Sequence, residues 1–273
     1  MTAAPGTAAP VSPSYPTPKR GVPFLDAFGL THGPVSLLGR LFLIIGDRLR
    51  RQGLQLEFAS FEEVAELRRC NVANWSFFNP MFDPALADIP EDRAFCLVVR
   101  DTSRRIVATG SAKLIDASQR SLAEIVDAGD FYAIRPADNP TRIEARMFAP
   151  AARTMYGDLA FCGGIWVDPA VRGLRLAALV GRLVNASMLT LWNPDVLLGL
   201  VRMEAADTNY RRRYGYTHTA PSLMVYQNGE PLSDATLLWM TADDSAIELA
   251  HFLDDLWPQI DAAVVGGRRE KSA

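Results

Sequence analysis

A strand that runs through a short loop directly into a helix is the feature that most constrains this chain. Residues 163–184 read GGIWVDPAVRGLRLAALVGRLV: an apolar strand, an Asp-Pro pair, an Arg-Gly pair, then apolar residues at helical spacing. The first N–H groups of such a helix have no acceptor within the helix, and the positive end of its dipole lies beside them. Together with the cations of Arg172 and Arg175, these donors favour a pyrophosphate group at the loop.

Composition narrows the classes of protein to which the chain can belong. With 273 residues and 49% hydrophobic side chains, it is long enough and apolar enough to bury a sizeable core. A net charge of −3 has the wrong sign for a general electrostatic interaction with nucleic acid. The three cysteines contain no CxxC pair, so neither a disulfide framework nor a metal site is expected. We predict a cytoplasmic protein, with no secretion signal in residues 1–18 and no membrane-spanning segment.

Hydrophobic periodicity and turn residues predict alternating helices and strands along the chain. Ser60, three residues before Glu63, is typical of a capping box at a helix start. The aromatic, proline-broken stretch 74–84 is predicted either to fill the core or to form the wall of a pocket. The predicted helices are 35–51, 60–75, one within 122–134, 171–192, 208–214 and 244–264; the predicted strands are 54–58, 95–100, 105–115, 141–148, 161–167, 196–203, 216–219 and 223–226.

Four segments follow from this reading. Residues 1–22, in which proline recurs, are predicted to be a disordered tail. Residues 23–53 form a helical extension, 54–228 the main domain, and 229–273 a C-terminal helical extension and tail. The helix 35–51 has an apolar middle and a basic end, which predicts a helix docked on the body. The alternative is a helix lying in a membrane interface, with its arginines toward lipid phosphates.

Two motifs in order resemble the GCN5-related N-acetyltransferase (GNAT) superfamily of acyl-CoA-dependent enzymes. The loop VDPAVRGLRLAALV at 167–180 resembles the cofactor loop of that family, and NYRRRYGY at 209–216 resembles its second signature. The resemblance covers about 54–226. It implies an α/β fold, with a mixed, mostly antiparallel twisted sheet and helices on both faces. It also implies acetyl-CoA or another acyl-CoA as the acyl donor, and no metal.

The resemblance also implies roles for individual residues in binding the donor. The backbone of Ile165, Trp166 and Val167 would pair with the pantetheine arm, and one of its N–H groups would polarise the thioester carbonyl. Asn209 would hydrogen-bond the same arm, or else cap a helix. At Arg175 the family pattern has a glycine. The pyrophosphate would lie on the loop residues Arg172, Gly173, Leu174, Arg175, Leu176 and Ala177.

Candidate proton-transfer groups lie around this loop. The family places a tyrosine before its Gly-aromatic pair to protonate the leaving thiolate, which favours Tyr210 over Tyr214. A carboxylate is expected to take a proton from the amine, with Glu204 first, Glu144 second and Asp158 third. Cys162 lies within a strand and is interpreted as a small buried residue rather than a nucleophile. His218, after the Gly-aromatic pair, is a weaker candidate for facing the substrate.

Three functions remain open on this sequence. The first is an N-acyltransferase that moves an acyl group from acyl-CoA to a small-molecule or peptide amine by direct attack in a ternary complex. The second uses a longer acyl chain, from acyl-CoA or acyl carrier protein; EARMF at 144–148 is similar to a stretch of acyl-homoserine-lactone synthases. The third is a module that binds CoA or a partner protein and does no chemistry.

Overall fold

The computed structural model describes residues 14–75, 78–132, 134, 143–202, 211 and 213–269. Its α-helices are α1 (Val35–Arg51), α2 (Phe61–Cys70), α3 (Leu122–Asp127), α4 (Leu176–Trp192) and α5 (Ala242–Arg269). Its strands are β1 (Gln55–Ala59), β2 (Ala94–Arg100), β3 (Ile106–Ala117), β4 (Ile143–Met147), β5 (Gly157–Val167), β6 (Val196–Arg202), β7 (His218–Gln227) and β8 (Glu230–Thr241).

The eight strands form one sheet in the order β1-β2-β3-β5-β6-β8-β7-β4. Every neighbouring pair is antiparallel except β5 and β6, which are parallel and are connected through α4. A parallel pair needs such a crossover, because the chain has to return to the same end of the sheet. The predicted fold class, a mixed and mostly antiparallel sheet with helices on both faces, is confirmed.

Two hydrophobic cores cover the two faces of the sheet. On one face, buried side chains of α1, α4 and α5 pack against the strands. On the other face lie α2, α3 and the aromatic stretch that includes Trp75, Met81 and Phe82. Helix α4 contacts the sheet on one side and both α1 and α5 on the other. Its apolar sequence is explained by this double coverage, since a helix covered on both sides has few positions left for charge.

The N-terminal segments pack on the body of the protein. The apolar stripe of α1 is at most 2% exposed, so it is not available to a lipid surface. Within the described residues, no helix is long and apolar enough to cross a membrane. The predicted disorder of residues 1–22 is wrong for 14–22, where the Tyr15 hydroxyl donates to Asp158 at 2.7 Å and Pro18 is buried. The stripe of α1 consists of Leu38, Leu41, Phe42, Ile45 and Leu49.

The C-terminal boundary predicted at 228/229 is also wrong. Residues 216–219 and 223–226 do not form a hairpin; residues 218–219 and all of 223–226 belong to the single strand β7. Its partner is β8, which lies inside the sheet between β6 and β7. Asn228 and Gly229 form the turn between them, both with positive φ. The sheet is therefore complete only with residues 230–241, and the C-terminal helix begins at Ala242.

Helix α2 begins as predicted and ends earlier. The Ser60 hydroxyl accepts from the Glu63 N–H at 3.2 Å, as a capping residue does. The helix stops at Cys70 rather than near residue 75, because Asn71 turns the chain out of the helix. The Asn71 side chain donates to the Leu67 carbonyl at 2.8 Å and satisfies one of the last acceptors of the helix.

Candidate active site

A β-bulge interrupts β5 four residues before its end. The pairing of β3 with β5 runs through Ser111–Gly163 and resumes at Thr109–Trp166, which leaves one extra residue on β5. Gly164 has φ +60°, and its carbonyl accepts from the Thr109 hydroxyl at 2.7 Å. A Cβ on Gly164 would lie 3.0 Å from the Ser111 hydroxyl. The bulge thus requires glycine there, and it redirects the backbone of the following residue.

Beyond the bulge, β5 and β6 separate. They pair over only four residues each, from Leu159–Val196 to Cys162–Gly199. From there β6 continues beside β8 to Arg202, and β5 continues beside β3 to Val167. Within the described residues, no strand lies between 163–167 and 200–202. The backbone edge of β5 that faces this gap can therefore pair with an extended ligand, as an added strand would.

The loop after β5 ends at the N-terminus of α4. The Asp168 carboxylate accepts from the Ala170 N–H at 2.9 Å and caps a 3-10 turn over Pro169–Leu174. Arg175 follows in the left-handed region, at φ +57° and ψ +26°. The predicted helix 171–192 therefore starts at Leu176, because Arg175 breaks the helical path.

The first turn of α4 is open to a ligand. Arg175, at the N-cap position, makes no side-chain capping hydrogen bond. The Ala178 N–H donates to the Arg175 carbonyl at 3.1 Å, which leaves the N–H groups of Leu176 and Ala177 without an acceptor within the helix. Arg172, Gly173 and Arg175 are exposed around this helix end. Of the six residues predicted for pyrophosphate binding, Leu176 has a buried side chain, and the two arginines make the exposed part of the loop cationic.

A cavity of about 240 Å³ lies where β5 and β6 separate. Its lining residues come from both cores, so the cavity passes through the sheet at the gap. Ile165 from the bulge and Asn185 from α4 lie on one side of the sheet. On the other side, the lining residues that belong to the second core are Trp75, Tyr132, Phe161, Leu200, Leu223, Val225 and Ala235.

The aromatic stretch does both of the things predicted for it. Phe82 is fully buried and stacks on Phe161, which fills the core. Trp75 lines the cavity and stacks on Trp166 of β5, with ring centroids 5.5 Å apart. Trp166 therefore contributes its backbone to the gap while its ring supports the cavity wall.

Two buried titratable groups line the cavity at the junction of β5 and β6. Burial raises the pKa of the Cys162 thiol to about 12, so the thiol is neutral at physiological pH. Burial, and secondly the neighbouring Cys162, raise the pKa of the Tyr216 phenol well above its usual value. Cys162 is thus a small buried residue, as predicted, and a poor nucleophile.

Side chains of α4 hold the last residues of the second motif. Asn185 donates to the Tyr214 carbonyl at 3.3 Å, and Arg182 donates to the Arg213 carbonyl. The Arg182 guanidinium also lies over the Phe252 ring, 4.0 Å from its centroid. Burial lowers the pKa of Arg182 to about 10, which still leaves it charged at neutral pH.

The structure brings some of the predicted residues together and separates others. Ile165, Trp166 and Val167 form the end of β5 along the gap, and the phosphate loop follows directly. Glu144 is exposed on β4, the outermost strand, opposite Tyr226, and does not line the cavity; its role as a base stays a prediction. The remaining catalytic and donor-binding candidates, Glu204, Asn209 and Tyr210, lie outside the described residues.

Two weaker candidates also lie away from the cavity. Asp158 lies at the start of β5, at the opposite end from the loop, where it accepts from Tyr15. His218 is exposed and stacks on Trp239, with ring centroids 5.3 Å apart. Neither residue lines the cavity.

Sequence reasoning missed several residues that line the cavity, of which Asn185, Tyr216 and Ala235 are examples. Asn185 is a buried polar residue in the mostly apolar α4, as are Arg182, Ser187 and Thr190, and a polar residue in such a helix is a usable signal. Tyr216 was assigned to a hairpin, and nothing local shows that its ring turns into the core. Ala235 lies on β8, whose run TLLWM has the composition of a strand but falls beyond the boundary predicted at residue 228.

No protein-family model matches the chain, and no curated protein matches it significantly. Among solved structures, it resembles the ribosomal-protein-S5-alanine acetyltransferase of Vibrio fischeri, with 14% identity and a TM-score of 0.39 over 70% of this chain and 94% of that one. It also resembles a SpeG spermidine N-acetyltransferase mutant of Vibrio cholerae, with 12% identity and a TM-score of 0.40 over 71% and 96%. It resembles Arabidopsis thaliana NAA60 in complex with a bisubstrate analogue as well, with 14% identity and a TM-score of 0.40 over 69% of this chain and 97% of that one.

The first two of these proteins are acetyltransferases by name, the kind of enzyme that the motifs at 167–180 and 209–216 resemble. Likenesses this distant assign no activity to the chain. A function has to be argued from the strand order, the bulge and the loop of this protein itself.

Proposed function

We propose that this protein is an N-acyltransferase that moves an acyl group from acyl-CoA to a small-molecule or peptide amine. The observation that carries the proposal is a single continuous path. A strand edge at 163–167, which has no paired neighbour on the side of β6 among the described residues, leads from a cavity at the junction of β5 and β6 to a helix N-terminus without a side-chain cap. A molecule with an extended amide-containing arm, a pyrophosphate at one end and a reactive group at the other matches that path.

Each part of the path has a chemical counterpart in acyl-CoA. The pantetheine amides would pair with the backbone of β5 beyond the bulge, as a strand pairs with an open edge. The pyrophosphate would accept hydrogen bonds from the first N–H groups of α4, beside Arg172 and Arg175. A backbone N–H at the bulge would donate to the thioester carbonyl oxygen and stabilise the negative charge that develops there.

Direct attack by the amine is favoured over transfer through an enzyme thiol. Cys162 is the cysteine that lines the described cavity, and its raised pKa keeps it protonated at neutral pH. In the direct reaction, the amine nitrogen forms a bond to the carbonyl carbon, the carbon–sulfur bond breaks, and CoA leaves as a thiolate. We propose Tyr210 as the group that protonates this thiolate and Glu204 as the group that removes the amine proton. Asn209 is proposed to bind the pantetheine arm.

Calorimetric titration with acetyl-CoA and with CoA tests the donor site. Gly173 is exposed, and a Cβ there meets no atom within 4 Å, so a side chain fits. Gly173→Asp places a carboxylate beside the proposed pyrophosphate and is expected to weaken binding by tenfold or more, since like charges repel at short range. Gly173→Asn has the same shape without the charge and is the matched control.

The outcomes of this titration separate the candidate functions. Tight binding that Gly173→Asp weakens and Gly173→Asn preserves supports the proposal. Equal binding by both variants would contradict the placement of the pyrophosphate. If neither thioester nor CoA binds to the unmodified protein, an acyl carrier protein is the next donor to test. Binding without turnover of any amine would favour a non-catalytic CoA-binding module.

A further inference from the structure

The cavity has an apolar section on the face of the sheet that carries α2 and α3. Besides Trp75, five of the lining side chains belong to the buried part of the second core, and each is 8% exposed or less. They come from three strands and from the segment after α3, so the section is enclosed from several directions. These side chains are Tyr132, Phe161, Leu223, Val225 and Ala235.

This apolar section begins where the open edge of β5 ends. Cys162 and Gly199 form the last pair between β5 and β6, and Gly163 follows at once. A Cβ on Gly163 would lie 2.8 Å from the Phe161 ring, and one on Gly199 would lie 3.0 Å from the Tyr216 hydroxyl. Because both positions lack side chains, these two rings lie directly against the backbone and form walls at the junction.

Charge is nearly absent from the described lining. No Asp, Glu or His is among these residues, and Arg202, which is exposed, is the one charged side chain. Among the described lining residues, a protonated amine moved into the apolar section would lose its hydration and meet no carboxylate, which is strongly unfavourable. An uncharged hydrocarbon chain gains free energy in the same place, because its surface leaves water.

We propose that this section binds the acyl chain of the donor, and that the preferred chain is longer than acetyl. This inference rests on the proposed function, because the thioester must lie at the bulge for the chain to continue past the junction. An apolar cavity of about 150 Å³ accommodates benzene. The whole cavity, on both faces of the sheet, holds about 240 Å³, so the part left beyond the thioester has room for a chain of at most roughly six carbons.

A series of CoA thioesters tests the chain length. Dissociation constants and kcat/KM are measured for CoA itself and for acetyl-, butyryl-, hexanoyl-, octanoyl- and palmitoyl-CoA. Each added methylene that enters the section is expected to tighten binding by up to roughly fourfold, and the gain is expected to stop near hexanoyl. CoA itself, which has no acyl chain, measures the donor site alone.

Variants of opposite effect show where the chain lies. Ala235→Phe fills the section and is expected to move the preference to acetyl-CoA, whereas Val225→Ala enlarges it and moves the preference to a longer chain. Both should bind CoA as the unmodified protein does. Leu232→Phe is the matched control for Ala235→Phe, because Leu232 lies on the same strand and is 49% exposed. Thermal melting establishes that each variant is folded; if Ala235→Phe is not, Val225→Ala alone decides.

Two failures have different meanings. If CoA and its thioesters bind with affinities that do not depend on chain length, or acetyl-CoA is preferred, the acyl-chain assignment is overturned while the proposed function stands. If neither CoA nor any thioester binds, the proposed function and this inference both fail. An unchanged preference in both Ala235→Phe and Val225→Ala would place the chain elsewhere, and it would equally overturn the assignment.

Discussion

Arg175 is one of two described arginines whose backbone lies in the left-handed region, the other being Arg104. Its φ of +57° lies in the region that glycine adopts freely, and an L-residue there costs about 1 kcal/mol or more. The backbone at Arg175 thus has a conformation that favours glycine, while the side chain adds a cation beside the helix N-terminus.

Substitutions at Arg175 are expected to change stability in opposite directions. Arg175→Gly removes the strain and should raise the free energy of unfolding by up to about 1 kcal/mol. Arg175→Val, with a β-branched side chain, should lower it by about 1 to 2 kcal/mol. Urea denaturation of both variants checks this. A loss of stability in Arg175→Gly would show that contacts of the arginine side chain outweigh its backbone strain.

Residues differ in how well the sequence predicts their place. The N–H donors after the loop around Arg172 were predictable, because the first N–H groups of any helix have no acceptor within the helix. Tyr216 and Asn185 were not, because each reaches the cavity only where a helix and two separating strands meet. Glu144 illustrates the reverse: alternation predicted its strand correctly, yet local pattern carries no information about which strand becomes its neighbour.

Among the elements, α4 determines the shape of the gap, since it packs across β3 and β5. It packs tightly on the sheet at Gly110 of β3, where an added Cβ would lie 2.7 Å from Val180 and 2.9 Å from Val184. Gly110 also lies between Thr109 and Ser111, where the pairing with β5 shifts at the bulge. The position of the helix and the position of the bulge thus depend on the same small residue.

Gly110→Ala is expected to lower the free energy of unfolding by about 1 to 3 kcal/mol, because the extra carbon overlaps the valines. Val180→Ala alone should also destabilise, by leaving a cavity. The double variant should be more stable than the sum of the two losses predicts, by about 1 kcal/mol. The methyl group added at position 110 can then enter part of the space that the Val180 methyl groups leave. Chemical denaturation of the four proteins measures this coupling, and strictly additive losses would contradict the packing described.

At the scale of the whole molecule, the N-terminal segment is hydrogen-bonded to the start of β5, at the opposite end of that strand from the loop. Tyr15 donates to Asp158 at the start of β5, and Arg93 lies over its ring at 5.8 Å. Composition suggested disorder here, because five prolines lie within the first 18 residues. The contact of Tyr15 with a carboxylate acceptor far along the chain, together with the ion pair between Arg20 and Glu91, connects residues 14–22 to the body, and such distant partners cannot be predicted from a local pattern.

This contact predicts a pH dependence of stability. Burial, and then the hydrogen bond to Asp158, raise the pKa of Tyr15 from 10.0 to about 12. Between these values the unfolded chain loses the phenol proton and the folded chain keeps it, so the free energy of unfolding falls as the pH rises. Tyr15→Phe should make this fall shallower in urea denaturation from pH 9 to about 12, while Tyr156→Phe, at an exposed tyrosine, should not. Identical slopes for Tyr15→Phe and the unmodified protein would contradict the contact.

The place of β4 has a consequence for how the protein assembles. In the chain, β4 stands between β3 and β5, but it pairs with β7, about 80 residues later, at the opposite edge of the sheet. It can therefore join only after most of the chain has been made and β7 is in place, and pairings between distant segments form slowly. Once it has joined, the chain itself links the two parts of the sheet that diverge at β5 and β6. The two sides of the gap, through which a ligand would enter, are then connected by the chain itself as well as by hydrogen bonds.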